Sequence, residues 1–353
     1  MDIHLLSGFL GSGKTTAIQS ACRILSEKGI KAAVITNDQG IRLVDAGLFK
    51  QLGIPGRQVL NGCFCCNYRD LDNQIQSLLE TAEPEVIFAE SVGSCTDIVA
   101  TVFKPLRVFR PDVRVTLSVF ADAMLLHLLL IDKTFLFDEE VNYIYFKQLE
   151  ESNILIISKM DLLNSDELRD LKNGLNERYP DKLIHYQDSR NDDQVRQWLG
   201  QLEPAVSDLN PRSLEMDYAK YGAGEAKLAW LDQELDIESS NKTATRDAIQ
   251  LMQEIFKKIA AEKHPIGHLK YLLNGQQKIS FTSSSLPEIG FEILPAVGAT
   301  LLLNARVQTS PGALSLLVSD AIRTFEEQSG CRVRTNSISS FQPGFPTPTC
   351  RME

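Results

Sequence analysis

The sequence contains no apolar run long enough to cross a bilayer. Its best contender, Met124 to Ile131, is short and carries His127, whereas a spanning helix needs about 20 apolar residues. No excess of basic residues exists either. Lys and Arg number 36 against 46 Asp and Glu, a net charge of −10, and no Lys/Arg run stands out, so the footprint of a nucleic-acid binder is missing. The seven cysteines, Cys22, Cys63, Cys65, Cys66, Cys95, Cys331 and Cys350, are odd in number and speak against a disulfide framework. No internal repeat is visible. The first candidate strand, Asp2 to Ser7, runs straight into a glycine-rich loop, leaving no residues for a targeting segment. These absences together predict a cytoplasmic globular protein that works on neither membrane nor nucleic acid.

What is present is ordinary in bulk and specific in detail. The 353 residues are 43% hydrophobic and 23% charged, enough for two domains with sizeable cores. Over residues 1–205 apolar runs at Ile3–Leu6, Ala32–Thr36, Val59–Asn61, Val86–Ala89, Val113–Phe120, Ile154–Ser158 and Leu183–Tyr186 alternate with amphipathic stretches such as Thr15–Lys28, Asp70–Thr81, Asp166–Arg178 and Asp193–Leu202. Continuous apolar strands between helices predict a doubly wound, mainly parallel sheet. Residues 206–242, with Pro211, an aspartate-rich stretch and no sustained periodicity, read as a linker. Residues 243–353 predict a smaller α+β domain. Ile249, Met252, Phe256 and Ile259 recur at helical spacing, while Ile279 and Phe281, then Leu301, Leu303, Ala305 and Val307, alternate as half-buried strands. Ser310-Pro311 opens a second helix. His264 and His268 are four apart, but Pro265 and Gly267 suggest a helix terminus rather than a metal pair.

The loop Gly8-Phe9-Leu10-Gly11-Ser12-Gly13-Lys14-Thr15-Thr16 fits Gly-x4-Gly-Lys-[Ser/Thr] between a strand and a helix. Its glycines let backbone N–H groups wrap phosphates. Lys14 brings a cation to the β/γ oxygens, Thr15 can ligate Mg²⁺, and the helix adds its positive end. This P-loop NTPase pattern predicts a nucleoside triphosphate with Mg²⁺.

Three further clusters qualify that reading. Ser158-Lys159-Met160-Asp161 ends a buried strand. A buried carboxylate at Asp161 would accept from guanine N1–H and N2–H₂, a donor pair that adenine lacks, and the Lys159 stem can cover the base, so GTP is expected. Ser158 offers less to N7 than an amide would. Glu90 and Gly93, in Glu-x-x-Gly after another buried strand, suit Mg²⁺ or the attacking water and the γ-phosphate respectively. Thr36-Asn37-Asp38-Gln39-Gly40 follows the second strand, and Asp38 serves equally as a metal sensor or as a turn former.

Asn61-Gly62-Cys63-Phe64-Cys65-Cys66 packs three thiols into four positions. Thiolates bind soft and borderline cations. Three ligands leave a position open, and an incomplete site suits transfer better than permanent structure. Buried small residues and a redox pair are the alternatives. Cys22 reads as core, and no function attaches to Cys95, Cys331 or Cys350.

Taken in order, the phosphate loop, Asn-Asp-Gln-Gly, Gly-Cys-Phe-Cys-Cys, Glu-x-x-Gly and Ser-Lys-x-Asp resemble CobW-like GTPases, relatives of the HypB and UreG nickel-insertion proteins. The resemblance covers about residues 1–205, and Cys-x-Cys-Cys is its specific mark. It implies a metallochaperone that hydrolyses GTP slowly and delivers a metal to a client metalloprotein. Lys14 and Glu90 would be catalytic. Gly8, Gly11, Ser12, Gly13, Lys14, Thr15, Thr16, Gly93, Ser158, Lys159 and Asp161 would bind nucleotide. Thr15 and Glu90 would hold Mg²⁺. Cys63, Cys65 and Cys66, with Asp38, would hold a transition metal, Zn²⁺ foremost, with Co²⁺, Ni²⁺ or Fe²⁺ also within the range. Asp38 stands where the family usually has Glu, and the His-rich segment of several members is missing. A competing function is a GTP-dependent activator of a cofactor enzyme, such as a corrinoid enzyme, in which the cysteines serve the switch. A small-molecule kinase is a third and poorer fit. The chain is also compatible with a homodimer.

Overall fold

The computed structural model describes all residues except 38–39, 41–43, 61, 203–210, 285–286 and 288. The chain divides into two compact units. The first holds Met1–Gln39, Leu52–Gly224 and Pro346–Glu353; the second holds Gly40–Gln51 and Glu225–Phe345.

In the first unit seven strands, β1 (Asp2–Gly8), β2 (Ala32–Asn37), β3 (Gly56–Val59), β4 (Val86–Glu90), β5 (Arg114–Asp122), β6 (Ile154–Ser158) and β7 (Leu183–Gln187), form one sheet in the order β3-β2-β4-β1-β5-β6-β7. Every pairing is parallel. The inner strands β4 and β6 are buried at every position, and β1 and β5 at every position but the first, because helices cover both faces. This explains their unbroken apolar runs. Six of the seven strands coincide with sequence-predicted ones; β3 runs over Gly56–Val59 and shares only Val59 with the expected Val59–Asn61. The amphipathic stretches become α1 (Lys14–Glu27), α3 (Tyr68–Ala82), α7 (Ser165–Arg178) and α8 (Asp192–Gln201), where α2 denotes Val44–Gln51 of the second unit. Asn164 caps α7 through a capping box with Glu167, which satisfies two orphan donors at once. Three further helices, α4 (Lys104–Phe109), α5 (Ala123–Leu130) and α6 (Glu139–Glu151), lie between β4 and β6. The apolar run at residues 124–131 is largely α5, buried on nearly every side. Among the described residues no helix is long and apolar enough to cross a membrane.

The sheet's strand order reverses at β1, which has β4 on one side and β5 on the other. A crevice opens beyond the carboxyl ends of strands at such a switch point. The phosphate loop leaves β1 there, and Glu90 ends β4 there.

The second unit departs from the expected boundaries. The segment read as a linker contains α9 (Tyr218–Ala226), most of it in the first unit, and β8 (Leu228–Glu238). With β9 (Ile266–Leu273), β10 (Gln277–Phe281), β11 (Gly298–Gln308) and β12 (Arg332–Phe341), β8 builds an antiparallel sheet in the order β10-β9-β11-β8-β12. β8 lacks a period of two because its first six residues are all buried. Its Asp232 is matched across the sheet by Arg306 Nη1 at 2.8 Å and Asn304 Nδ2 at 2.8 Å. Helices α10 (Ala244–Ala261) and α11 (Pro311–Ser329) pack on the face bearing Leu301, Leu303, Ala305 and Val307. Helix α2 packs on β9 and β11 from the face of Asn304 and Leu272. There the Val44 N–H donates to Asn304 Oδ1 at 2.8 Å, and Asp45 sits between Lys270 and Lys278, which hold its carboxyl far below the usual range against the opposing effect of burial. His264 and His268 flank the start of β9 rather than a helix end, and His268 lies within the strand.

Candidate nucleotide and metal site

The phosphate loop turns on residues that only glycine supplies without strain. Gly8 has φ +128°, and a Cβ there would sit 2.0 Å from the Phe120 carbonyl oxygen of β5. Gly11 and Gly13 also adopt positive φ, and Gly13 is the N-cap of α1. The first bond of that helix, Ala17 N–H to Gly13 O at 3.1 Å, leaves the N–H groups at Lys14, Thr15 and Thr16 in the anion-binding position of a helix start. Lys14 Nζ bends back to the carbonyls of Gly8 at 2.6 Å and Phe9 at 3.2 Å. The Ser12 hydroxyl is buried without a partner among the described residues, as expected of a donor meant for a phosphate oxygen.

Thr15 and Glu90 are brought together. The Thr15 hydroxyl lies 2.9 and 3.0 Å from the two carboxylate oxygens of buried Glu90. A hydroxyl beside a carboxylate at the foot of a phosphate loop is a donor set that suits Mg²⁺. Gly93 is packed tightly on the loop, where a Cβ would come within 2.9 Å of the Leu10 nitrogen. Gln148 of α6 fixes this stretch by donating to the carbonyls of Gly93 at 3.0 Å and Cys95 at 2.7 Å.

At the other end of the crevice the Ser158 hydroxyl donates to Ser12 O at 2.6 Å. It is therefore turned to the phosphate loop rather than outward. Lys159, in the left-handed region at φ +56°, reaches Asp122 Oδ2 at 2.9 Å. Asp161 was expected to be buried; it is exposed and accepts from Arg190 Nη2 at 2.7 Å. The loop after β7 supplies that arginine.

The cysteines gather in a tight turn ahead of α3. Cys66 N–H and Asn67 N–H both donate to Cys63 O, at 3.1 and 2.9 Å. The Sγ atoms of Cys63, Cys65 and Cys66 lie within 4.8 Å of one another, and those of Cys65 and Cys66 are 3.7 Å apart. Two thiolates on a tetrahedral zinc, with bonds of about 2.3 Å, stand about 3.8 Å apart, which the Cys65–Cys66 spacing matches. Hydrogen bonds from Cys65, Cys66 and Cys95 hold the Cys63 thiol well below its ordinary range. The same contacts push Cys65 well up, and Cys66 up to about 12 with the Cys63 contact as its largest cause. Asp38 and Asn61 lie outside the described residues.

Residues 2–185 match the family described as CobW/HypB/UreG, nucleotide-binding domain. The chain belongs to that family. This CobW/HypB/UreG chain is 28% identical over 199 residues to the zinc chaperone YeiR of Escherichia coli (strain K12), covering 54% of this chain and 56% of that protein. It is 36% identical over 97 residues to the zinc chaperone YjiA of the same organism, covering 27% and 30%. The chain therefore spans about half the length of the first of these relatives. HypB from Helicobacter pylori in complex with nickel aligns over 61% of this chain and 91% of its own at 16% identity, with a TM-score of 0.43, a likeness too remote to argue from.

Sequence reasoning missed three positioning residues of this CobW/HypB/UreG chain. Asn37, ending β2, donates to Val59 O at 3.1 Å and Gly62 O at 2.7 Å and accepts from Phe64 N–H at 2.8 Å. It thereby clamps the cysteine loop to the sheet. Asp122, ending β5, caps α5 through Leu125 N–H and pairs with Lys159. Gln148 pins the loop after Glu90. A polar residue closing an apolar strand was the available signal for the first two; Gln148 had none.

Proposed function

We propose that this chain is a GTP-binding, slowly GTP-hydrolysing metallochaperone that holds a transition metal on Cys63, Cys65 and Cys66 and passes it to a client metalloprotein. One juxtaposition supports the reading most. Asn37 leaves the crevice end of β2 and grips the cysteine loop, while Thr15 and Glu90 meet at the same end of the sheet. The zinc chaperones among the relatives favour Zn²⁺ as cargo.

In this reading Lys14 exchanges the Gly8 and Phe9 carbonyls for phosphate oxygens. Thr15 and Glu90 would hold Mg²⁺, whose charge offsets that of the phosphates. The Gly93 N–H, kept against Leu10, donates to the γ-phosphate. Gly8, Gly11, Ser12, Gly13 and Thr16 shape the cradle. Asp161, freed from an exposed ion pair of small energetic weight, accepts from the guanine edge, and Lys159 is braced by Asp122 alongside the base. Cys63, Cys65 and Cys66, whose sulfurs lie within 4.8 Å of one another, would engage the cargo together. Asp38 belongs to the same proposal as a further ligand.

Nucleotide state and cargo are then linked, and linkage is reciprocal. Metal affinity measured with Mg²⁺-GTP, with Mg²⁺-GDP and without nucleotide tests the coupling. The expected result is tighter metal binding with Mg²⁺-GTP, and identical affinities would defeat it. Competition of GTP against ATP tests the base assignment in the same preparation, with equal affinity as the adverse result.

A further inference from the structure

Nothing in the sequence around Cys95 marks a role, and the structure gives it neighbours that call for one. It lies in the loop after β4, two positions beyond Gly93, and is completely buried. Its backbone is fixed at both ends: the N–H donates to Val92 O at 3.0 Å and the carbonyl accepts from Gln148 at 2.7 Å. Its thiol stands within side-chain hydrogen-bonding reach of both Cys63 and Cys65. It is outside the triplet whose sulfurs are all mutually within 4.8 Å, so it approaches from the side away from Cys66.

We propose that Cys95 is a fourth sulfur ligand, taking the open position otherwise given to Asp38 and closing a four-thiolate site for a soft or borderline cation whose other ligands are Cys63, Cys65 and Cys66. The inference rests on the reading of those three as a metal site. Three arguments carry it. A tetrahedral thiolate site needs four sulfurs at the corners of a small tetrahedron, and the described residues bring a fourth sulfur to a group whose Cys65–Cys66 edge of 3.7 Å already fits one. The four thiols come from two separate stretches, the turn before α3 and the loop after β4. The site therefore depends on the folded first unit rather than on one local turn. Burial is also graded: Cys63, Cys65 and Cys95 are buried, whereas Cys66 is half-buried and accepts from the Thr347 N–H at 3.2 Å. The inner three sulfurs suit retention and Cys66 suits exchange. Because Cys95 shares its loop with Glu90 and Gly93, one ligand would sit on the segment that this reading gives to Mg²⁺ and the γ-phosphate.

The test is titration of the full-length protein with Co²⁺ under reducing conditions, followed by thiolate-to-cobalt charge-transfer absorption, whose intensity grows with the number of thiolates. Wild type should show a four-thiolate tetrahedral spectrum. Cys95→Ser should show a three-thiolate spectrum, with affinity lowered by more than the roughly 10- to 100-fold typical of losing an outer-shell partner. A Cys95→Ser spectrum and affinity equal to wild type would overturn the inference. Cys65→Ser separates the two levels. If it abolishes the signal while Cys95→Ser does not alter it, only the fourth ligand fails; if it too leaves binding unchanged, the cysteine site itself is wrong. X-ray absorption on wild type loaded with one equivalent of Co²⁺ needs no variant to fold. Four sulfur neighbours support the inference, and three with a lighter atom overturn it.

Discussion

Gly8 shows how much a single position can demand. Its φ of +128° and the 2.0 Å that would separate a Cβ from the Phe120 oxygen leave no rotamer or small shift that relieves the clash. Gly8→Ala is expected to destabilise the protein by at least about 2 kcal/mol and to abolish nucleotide binding. Thermal unfolding and nucleotide titration check both, and a wild-type melting temperature would contradict the packing of β1 on β5. Asn37 makes a second case at this scale. Its amide meets three backbone groups in and beside the cysteine loop, so Asn37→Ala strands buried donors and acceptors at about 1–3 kcal/mol and should weaken metal binding without touching a ligand. A variant with wild-type metal affinity would show that the loop keeps its shape unaided. The phosphate loop was legible because each of its residue types has one job. Asn37 and Cys95 were not, because their partners are far away in sequence; closing an apolar strand is the one local mark of Asn37, and Cys95 has none.

Among the elements, α6 carries an unexpected charge problem. Glu151 is buried, accepting from Val99 N–H at 3.2 Å and the Thr96 hydroxyl at 3.3 Å. Burial pushes its pKa from the usual 4.5 up to about 8. A raised folded-state pKa means that the folded protein binds a proton that the unfolded chain has released. The contribution of Glu151 is thus complete below about 4.5, declines as pH rises, and is lost by about pH 8. Glu151→Gln should lose this slope, so the stability of the variant relative to wild type should increase across that window. Chemical denaturation at several pH values measures it, and parallel profiles would refute the assignment. At this scale the sequence was most readable where strands were apolar throughout. It was least readable at α5, whose all-round burial erases helical periodicity, and at β8, whose two-sided burial erases the period of two. The acidic residues of β8 looked like solvent-facing loop because Arg306, the partner of Asp232, lies 74 positions further on.

Over the whole molecule the chain does not run through one unit and then the other. It crosses to the second unit for residues 40–51, returns, and crosses again at 225. A fragment of residues 243–353, the boundary that periodicity suggests, lacks β8, the strand that pairs with both β11 and β12. It is expected to show no cooperative melt, whereas residues 225–345 retain the complete sheet and should show one. A cooperative transition in the shorter fragment would mean that β8 is dispensable. The returning tail has a consequence at the bench. Thr347 touches Cys66, Thr349 N–H donates to Cys65 O, and Arg351 pairs with Asp97. A polyhistidine purification handle fused after Glu353 would begin seven positions beyond Thr347, and its imidazoles would compete for the same cations. The start of β1 lies at the opposite end of a seven-residue strand, about 20 Å from the phosphate loop. Stoichiometry measured on protein tagged there and on protein with the tag removed should agree; protein tagged at the other end should overcount its metal.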